Sequence, residues 1–493
     1  MEPSFRMHGR QPDRGLGSVA RSSLYQGKFG RMFRHLPPFL PDDQDLIALA
    51  ELMFEPAADL GLDTSLPAGF TYLGQFVDHD ITFDPTSKLQ QENDPDALHN
   101  FRTPRFDLDS VYAAGPAAAP FLYDRESGGF KFLLGKTDNQ EDDLPRNSQG
   151  LALIGDPRND ENLIISQLHL LFLKFHNRVY DALAERISDP QSRFDEARRI
   201  VRWHYQWIIL HDFLVRLTGE VIADILKTQP SHAVASLEGT HTVSVVKAEL
   251  KFFEWKNQPF MPVEFSAAAY RFGHSLIRFD YDLNSNAQQI PIFGPHPDPA
   301  PREGDLKGDL RGFRKRPPGR RIDWELFFPF PNQPLPQPTR KLDTKLTLGL
   351  RQLPGFGAAG DHSNPPSLAE RNLARGKALG LPSGQAVANA MGLPLAMILT
   401  DVELDFGDLA SRFAGNAPLW YYILKEAEVK GRGERLGPVG GRIVAEVLIG
   451  LLDGDPASYL SMSPNWQPTQ GEFGAPANGT YSMADLIRFA QGQ

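Results

Sequence analysis

The sequence contains no cysteine among its 493 residues. That absence excludes disulfides, thiolate nucleophiles, zinc–thiolate sites and any thiolate-ligated metal centre. Long apolar runs are also missing. No stretch of about 18 apolar residues occurs, so no membrane span is expected. The opening residues 1–17 lack the apolar core of a secretory signal, and the expectation is a chain that is cytoplasmic or exported without a cleaved signal. Positive charge is scarce relative to negative. The formal net charge is −10, without a long basic face, and nucleic-acid binding is not expected. One basic run, residues 311–321, sits among prolines and reads as a solvated loop.

What remains is the composition of a globular protein, 41% apolar and 23% charged. Residues 1–70, rich in Pro, Gly and Arg, read as an N-terminal arm, and residues 71–493 as one large domain. Strong helical periodicity begins near Asn162. Apolar residues line one face of 161–187 and again of 194–217. A third helix is predicted over 265–279, with others near 367–377, 384–391, 418–427 and 440–452. Ser482 is a plausible N-cap for 482–490, and the Pro-rich stretch 284–340 reads as an irregular excursion. The expected fold is mainly α, with little β-structure.

Four segments carry chemistry. In GQFVDHD, Gln75 and His79 lie four apart and share a helix face, while Asp78 and Asp80 flank the histidine. An imidazole among carboxylates and an amide is an acid–base cluster, although an isolated histidine on an apolar face is more often a core residue. In TPRFDLDSVY, Thr103, Arg105, Asp107 and Asp109 alternate by two. In an extended loop they would face one point with hard oxygen donors, a set that suits Ca²⁺ as well as an ordinary polar turn. In GDPRNDENLI, Arg158 precedes a long helix, either as part of a capping segment or as a fixed positive donor. In YRFGHSLIR, Arg271 and His274 lie three apart on one helix face.

These segments, in this order, resemble the animal-type haem peroxidases of the peroxidase–cyclooxygenase superfamily, from about residue 70 to the C-terminus. The resemblance implies one helical domain with haem b between the His79 helix and the helix holding His274. It places Gln75 and His79 on the distal side with Arg158, and His274 on the iron with Arg271 near a haem propionate. Asp78 and Glu161 match the positions of ester links to the haem, and Asn162 replaces a methionine that forms a third link in some relatives. Asp80, Thr103, Arg105 (through its carbonyl), Asp107 and Asp109 match a calcium site. The segment GLPSGQAVANA puts Gln385, with Asn389 as the alternative, where the family has an asparagine that partners the proximal histidine. His169 and His176 are expected to be scaffold. The implied activity is reduction of hydrogen peroxide with oxidation of a halide, thiocyanate or small aromatic donor. The rival reading is a fatty-acid dioxygenase of the same superfamily. That enzyme needs a tyrosine three residues before the proximal histidine. Tyr270 is four before it, a step that on an α-helix turns the side chain by about 100°. A catalytically silent interaction module on this fold is the third reading.

Overall fold

The computed structural model describes residues 28–56, 63–83, 100, 102–236, 239–255, 258–293, 308–476 and 480–493. Among the described residues, nine helices have seven or more residues: α1 (Asp43–Leu52), α2 (Gly69–Ile81), α3 (Leu163–Ala182), α4 (Pro190–Ile208), α5 (Leu368–Ala378), α6 (Gly384–Ala390), α7 (Leu419–Val429), α8 (Pro438–Gly454) and α9 (Met483–Gln491). Among the described residues, strands occur only in two-stranded sheets. The fold is mainly α, as the periodicity predicts.

Local chemistry sets the helix ends. Asn162 caps α3 by accepting from the Ile165 N–H at 2.9 Å. Asp189 caps α4, with Pro190 at its first position. Ser482 and Asp485 form a reciprocal capping box on α9. The expected helix 194–217 runs through α4 into a π-turn, Ile209–Phe213, and a further α-turn, Leu214–Thr218.

An aromatic junction locks α2, α3 and α4 together. Phe76 stacks on Phe172 with ring centroids 4.6 Å apart, and Tyr205 meets both rings edge-on. Helix α8 is apolar on nearly all sides and buried, as a central helix must be. Its one buried carboxylate, Glu446, accepts the backbone N–H groups of Lys251, Phe252 and Phe253.

Three expectations are corrected. Residues 265–279 do not form one helix: a short α-turn, Val263–Ser266, breaks at Ala268 and is followed by a 3-10 turn, Ala269–His274. Both ends of the segment are tied down. Glu264 accepts from Met32 and Phe33 N–H, and Ser275 Oγ donates to Lys341 and Asp343 carbonyls. Between these ties the chain folds as short turns. The basic run is not a solvated loop. Arg316 and Arg320 are buried, and Gly312 N and Phe313 N donate to Glu161 and Asp160 carbonyls at 3.0 and 2.7 Å. A Cβ at Gly312 would lie 1.8 Å from the Asp160 carbonyl oxygen, so only glycine lets this strap press against the turn before α3. A long hairpin, Leu226–Ser236 with Gly239–Ala248, stands where no element is predicted. Of the expected arm, residues 1–27 and 57–62 lie outside the described residues. Phe29–Gly30 pairs with Met261–Pro262, and α1 packs on α5.

Candidate active site

A cavity of about 1070 Å³ lies between α2 and the Ala269–His274 turn. Gln75, Asp78 and His79 from α2, with Arg158, Glu161 and Asn162 from the turn before α3, form one side. Tyr270, Arg271, Gly273 and His274 line it from the other turn.

On the α2 side, His79 is buried. Burial first, then the Arg158 charge, pulls its imidazole below the ordinary value, so the neutral base prevails. Its Nδ1 meets Asn159 Oδ1 at 2.8 Å. Its Nε2 has Glu161 Oε1 at 3.8 Å, too far for a hydrogen bond. Arg158 is clamped. Its Nη2 donates to the carbonyls of His79 (3.1 Å) and Thr82 (2.6 Å) and to Asp156 (2.8 Å), and its Nε also reaches Asp156. Its guanidinium lies 4.6 Å from the Phe83 ring centroid. Among the described residues its Nη1 makes no hydrogen bond. Burial pushes the Asp156 carboxyl up, but hydrogen bonding to Arg158 and the charges of Arg158 and Arg102 outweigh it and hold Asp156 well below the usual carboxylate range. Gln75 donates to Glu161 and accepts from Asn162 Nδ2 at 3.2 Å. Asn162 therefore caps a helix and orients Gln75 at once. Asp78 accepts from Thr82 Oγ1 at 2.9 Å.

Across the cavity, His274 Nδ1 lies 2.8 Å from Asn372 Nδ2, and Asn372 Oδ1 accepts from Arg271 Nη1 at 2.7 Å. Among the described residues His274 Nε2 has no hydrogen-bond partner. Burial and the nearby Arg271 lower the imidazole to about 3, so it is a neutral donor, the form a metal needs. Burial, then Arg375, lowers Arg271 to about 10. Gln385 is corrected here: its Oε1 accepts from Ala417 N at 2.8 Å, and Asn389 donates to the Gln385 carbonyl. Neither reaches His274. The partner is Asn372 on α5, which the sequence reading missed. Its signal was an amide on the apolar face of an amphipathic helix. Tyr270 also differs from expectation. In the tight 3-10 turn it stays on the cavity wall, its hydroxyl donating to the Gly74 carbonyl at 3.2 Å.

Asp80 points away from the cavity, one residue round the helix from His79. Its carboxylate, with those of Asp107 and Asp109, places three oxygens within 4.8 Å of one another. Burial, then Asp109 and Asp107, pushes the Asp80 carboxyl well up, the mark of a carboxylate cluster without enough positive charge. Ser110 Oγ and the Leu108 and Ser110 N–H groups hold Asp80, and Thr103 Oγ1 donates to Asp107 at 2.9 Å. Arg105 is buried and its side chain lies 3.9 Å from Asp455. Gly155 fits against this loop only without a Cβ, which would stand 2.4 Å from the Ser110 carbonyl oxygen. His176 is scaffold, bound to Tyr112 and the Phe130 carbonyl.

A haem fits this donor set. The cavity offers an imidazole whose Nε2 has no hydrogen-bond partner among the described residues, and with it a second imidazole, an amide and a clamped guanidinium. A Cβ at Gly273, next to His274, would touch nothing within 4 Å, which leaves the wall open to a flat group.

The family description "animal haem peroxidase" matches residues 88–405. The chain is 24% identical over 347 residues to "Heme peroxidase 2" of Caenorhabditis elegans, covering 68% of this chain and 44% of that protein. It is 26% identical over 313 residues to a chorion peroxidase of Drosophila melanogaster, covering 62% and 34%. The chain thus spans less than half the length of these relatives. Among solved structures, peroxidase A from Dictyostelium discoideum superposes with a TM-score of 0.62 at 17% identity, covering 98% of this chain and 95% of the other. A fatty acid alpha-dioxygenase of Arabidopsis thaliana gives a TM-score of 0.55 at 15% identity, covering 92% and 74%. No described helix is long and apolar enough to cross a membrane.

Proposed function

Because the chain belongs to the animal haem peroxidase family, we propose that it reduces hydrogen peroxide and oxidises a halide, thiocyanate or small aromatic donor. One observation carries the reading: His274, paired with Asn372, lines the same cavity as His79 and Arg158. A bound haem supplies the redox-active iron and porphyrin from which two electrons are drawn. His274 Nε2 would hold the iron with the imidazole proton on Nδ1, and Asn372 would then have to present its amide oxygen rather than its nitrogen to Nδ1. His79 Nε2 takes a proton from peroxide and returns it to the departing oxygen, which leaves as water. The unoccupied Nη1 of Arg158 offers that oxygen a charge that cannot be lost and does not need to move. Gln75 fixes solvent and peroxide at the same wall. Asp78 and Glu161 carry the carboxylates for ester links, and Asp80, Thr103, Asp107 and Asp109, with Arg105 through its carbonyl, would hold calcium.

Stopped-flow mixing with peroxide tests the reading. His79→Ala and Arg158→Ala should each slow the peroxide step by at least ~100-fold while haem stays bound, and His274→Ala should lose stable haem. Wild-type peroxide rates in the first two, or an unchanged Soret band in the third, would refute it. Tyr270 on the cavity wall favours one second reading, peroxide-primed oxidation of a fatty acid. Oxygen uptake with a fatty acid, abolished in Tyr270→Phe, separates the two.

A further inference from the structure

Behind the α2 wall of the cavity lies a polar chain that the peroxidase reading does not use. His79 Nδ1 meets Asn159 Oδ1 at 2.8 Å, and Asn159 Nδ2 meets His169 Nδ1 at 3.0 Å. Asn159 and His169 are fully buried, and neither lines the cavity. Asn159 comes from the 3-10 turn Pro157–Asp160, between Arg158 and Glu161, and His169 from the second turn of α3. Phe76 stands edge-on to the His169 ring, with centroids 6.1 Å apart. Among the described residues, His169 Nε2 has no hydrogen-bond partner.

The proton inventory of these groups fixes the chemistry. An amide NH₂ only donates, so His169 Nδ1 must accept and its proton must sit on Nε2. Burial lowers His169 to about 3, so it stays neutral and keeps accepting. The Asn159 carbonyl oxygen only accepts, so His79 must carry its proton on Nδ1. Its Nε2 lone pair then faces the cavity. If the amide were turned over, both imidazoles would exchange tautomers: His79 would present Nε2–H to the cavity and could take no proton. The orientation of one buried amide therefore decides whether His79 is a base.

We propose that Asn159 is a positioning residue that locks His79 in the Nδ1–H tautomer, and that His169 locks Asn159 by accepting from its amide nitrogen. The same contact works after proton transfer. An imidazolium donates from both nitrogens, and Asn159 Oδ1 already accepts from one of them, so His79 can hold the transferred proton without the site rearranging. The proposal rests on His79 being the acid–base group, and its test separates the two.

The tautomer is read directly, without turnover, by long-range ¹H–¹⁵N NMR of the full-length holoenzyme labelled with ¹⁵N-histidine. The ferrous, carbon-monoxide-bound form is used because it is diamagnetic. Wild type should show His79 protonated at Nδ1 and His169 at Nε2. Asn159→Leu should lose the single His79 tautomer and slow the peroxide step by about 100-fold, the scale of a disabled general base, at unchanged haem content and unchanged KM for the reducing donor. Asn159→Asp keeps an acceptor for His79 and should stay within about tenfold of wild type. His169→Phe frees the amide to turn and should give a mixed tautomer with an intermediate rate. Nε2–H on His79 in the wild type overturns the proposal by itself, whether or not any variant folds. So does an Asn159→Leu protein with wild-type tautomer and rate. If His79→Ala leaves the peroxide step intact, the acid–base reading fails instead.

Discussion

Asn372→Leu removes two contacts while keeping the branched, four-heavy-atom shape of the side chain, so its main effect should be polar. Arg271 Nη1 loses an acceptor at 2.7 Å, a bond from a buried charged donor, and such bonds are worth about 1.5–3 kcal/mol. His274 Nδ1 loses its neighbour at 2.8 Å, a neutral pair worth about 1 kcal/mol. Arg271 keeps its bond from Nε to the Ser266 carbonyl, so the guanidinium is not wholly abandoned. The haem-free variant should therefore be about 2.5–4 kcal/mol less stable in urea unfolding. Haem affinity, followed by transfer to an excess of an acceptor protein, should fall about 10–100-fold, as when other orienting partners of metal ligands are lost. Asn372→Asp should keep the Arg271 contact and lower the iron reduction potential, because a carboxylate makes the imidazole a stronger donor. The control is Gln385→Leu. It loses one neutral bond to Ala417 N and also removes an Nε2 that has no partner. Its stability should drop by about 0.5–1.5 kcal/mol with haem affinity unchanged. If Gln385→Leu loses haem and Asn372→Leu does not, the assignment of the proximal partner is wrong.

Asp107→Ala should lower calcium content, measured by elemental analysis, and should destabilise the protein more in calcium than in chelator. Calcium at 100 times its Kd adds about 2.7 kcal/mol to the wild type, whereas without it the substitution also relieves repulsion on Asp80; equal losses in both buffers would count against a cation site. Acidified organic extraction of peroxide-treated protein should release little haem from wild type, Asp78→Val and Glu161→Gln should each keep one link, and the double variant should release all its haem; complete release from wild type would end the ester assignment. Glu426 is buried between α7 and α8, where burial raises its carboxyl to about 8 despite the Val439 and Gly440 N–H donors. The folded state then holds a proton that the unfolded state has released above its ordinary value of 4.5, so stability should fall as pH rises from about 5 to 8, by up to about 1.4 kcal/mol per unit. Glu426→Gln should flatten that slope in urea titrations, and an unaltered slope would place the proton elsewhere.

The sequence exposes those parts of this molecule whose chemistry is local. Gln75 and His79 share a face because the helix repeats every 3.6 residues, and the Asp107 and Asp109 oxygens meet as their alternation allows, with Asp80 joining them as the resemblance implies. Asn372 was hidden for the opposite reason. It lies 98 positions from His274, and nothing near either residue encodes the meeting. Asn159 was adjacent to Arg158 and still missed, because an asparagine in a capping turn has a sufficient local explanation. The stretch 265–279 misled because alanines and aromatics at this density satisfy repeats of both 3.0 and 3.6, and its break at Ala268 comes from ties to residues 32–33 and 341–343. Charge also misled at 311–321, where buried Arg316 is neutralised by Glu141, 175 positions away, which a linear reading cannot pair.

His79 and Asp80 are consecutive residues on a single rigid helix, one turned toward the cavity and the other toward the carboxylate cluster. A cation gripping Asp80 and a cofactor seated against His79 therefore act on the same turn of backbone. Whatever free energy one ligand spends in fixing the rotation of that turn, the other need not spend again. Linkage makes this reciprocal: if calcium tightens haem binding by some factor, haem must tighten calcium binding by that same factor. Loss of the metal would then propagate as a slackened grip on haem without any contact between the two.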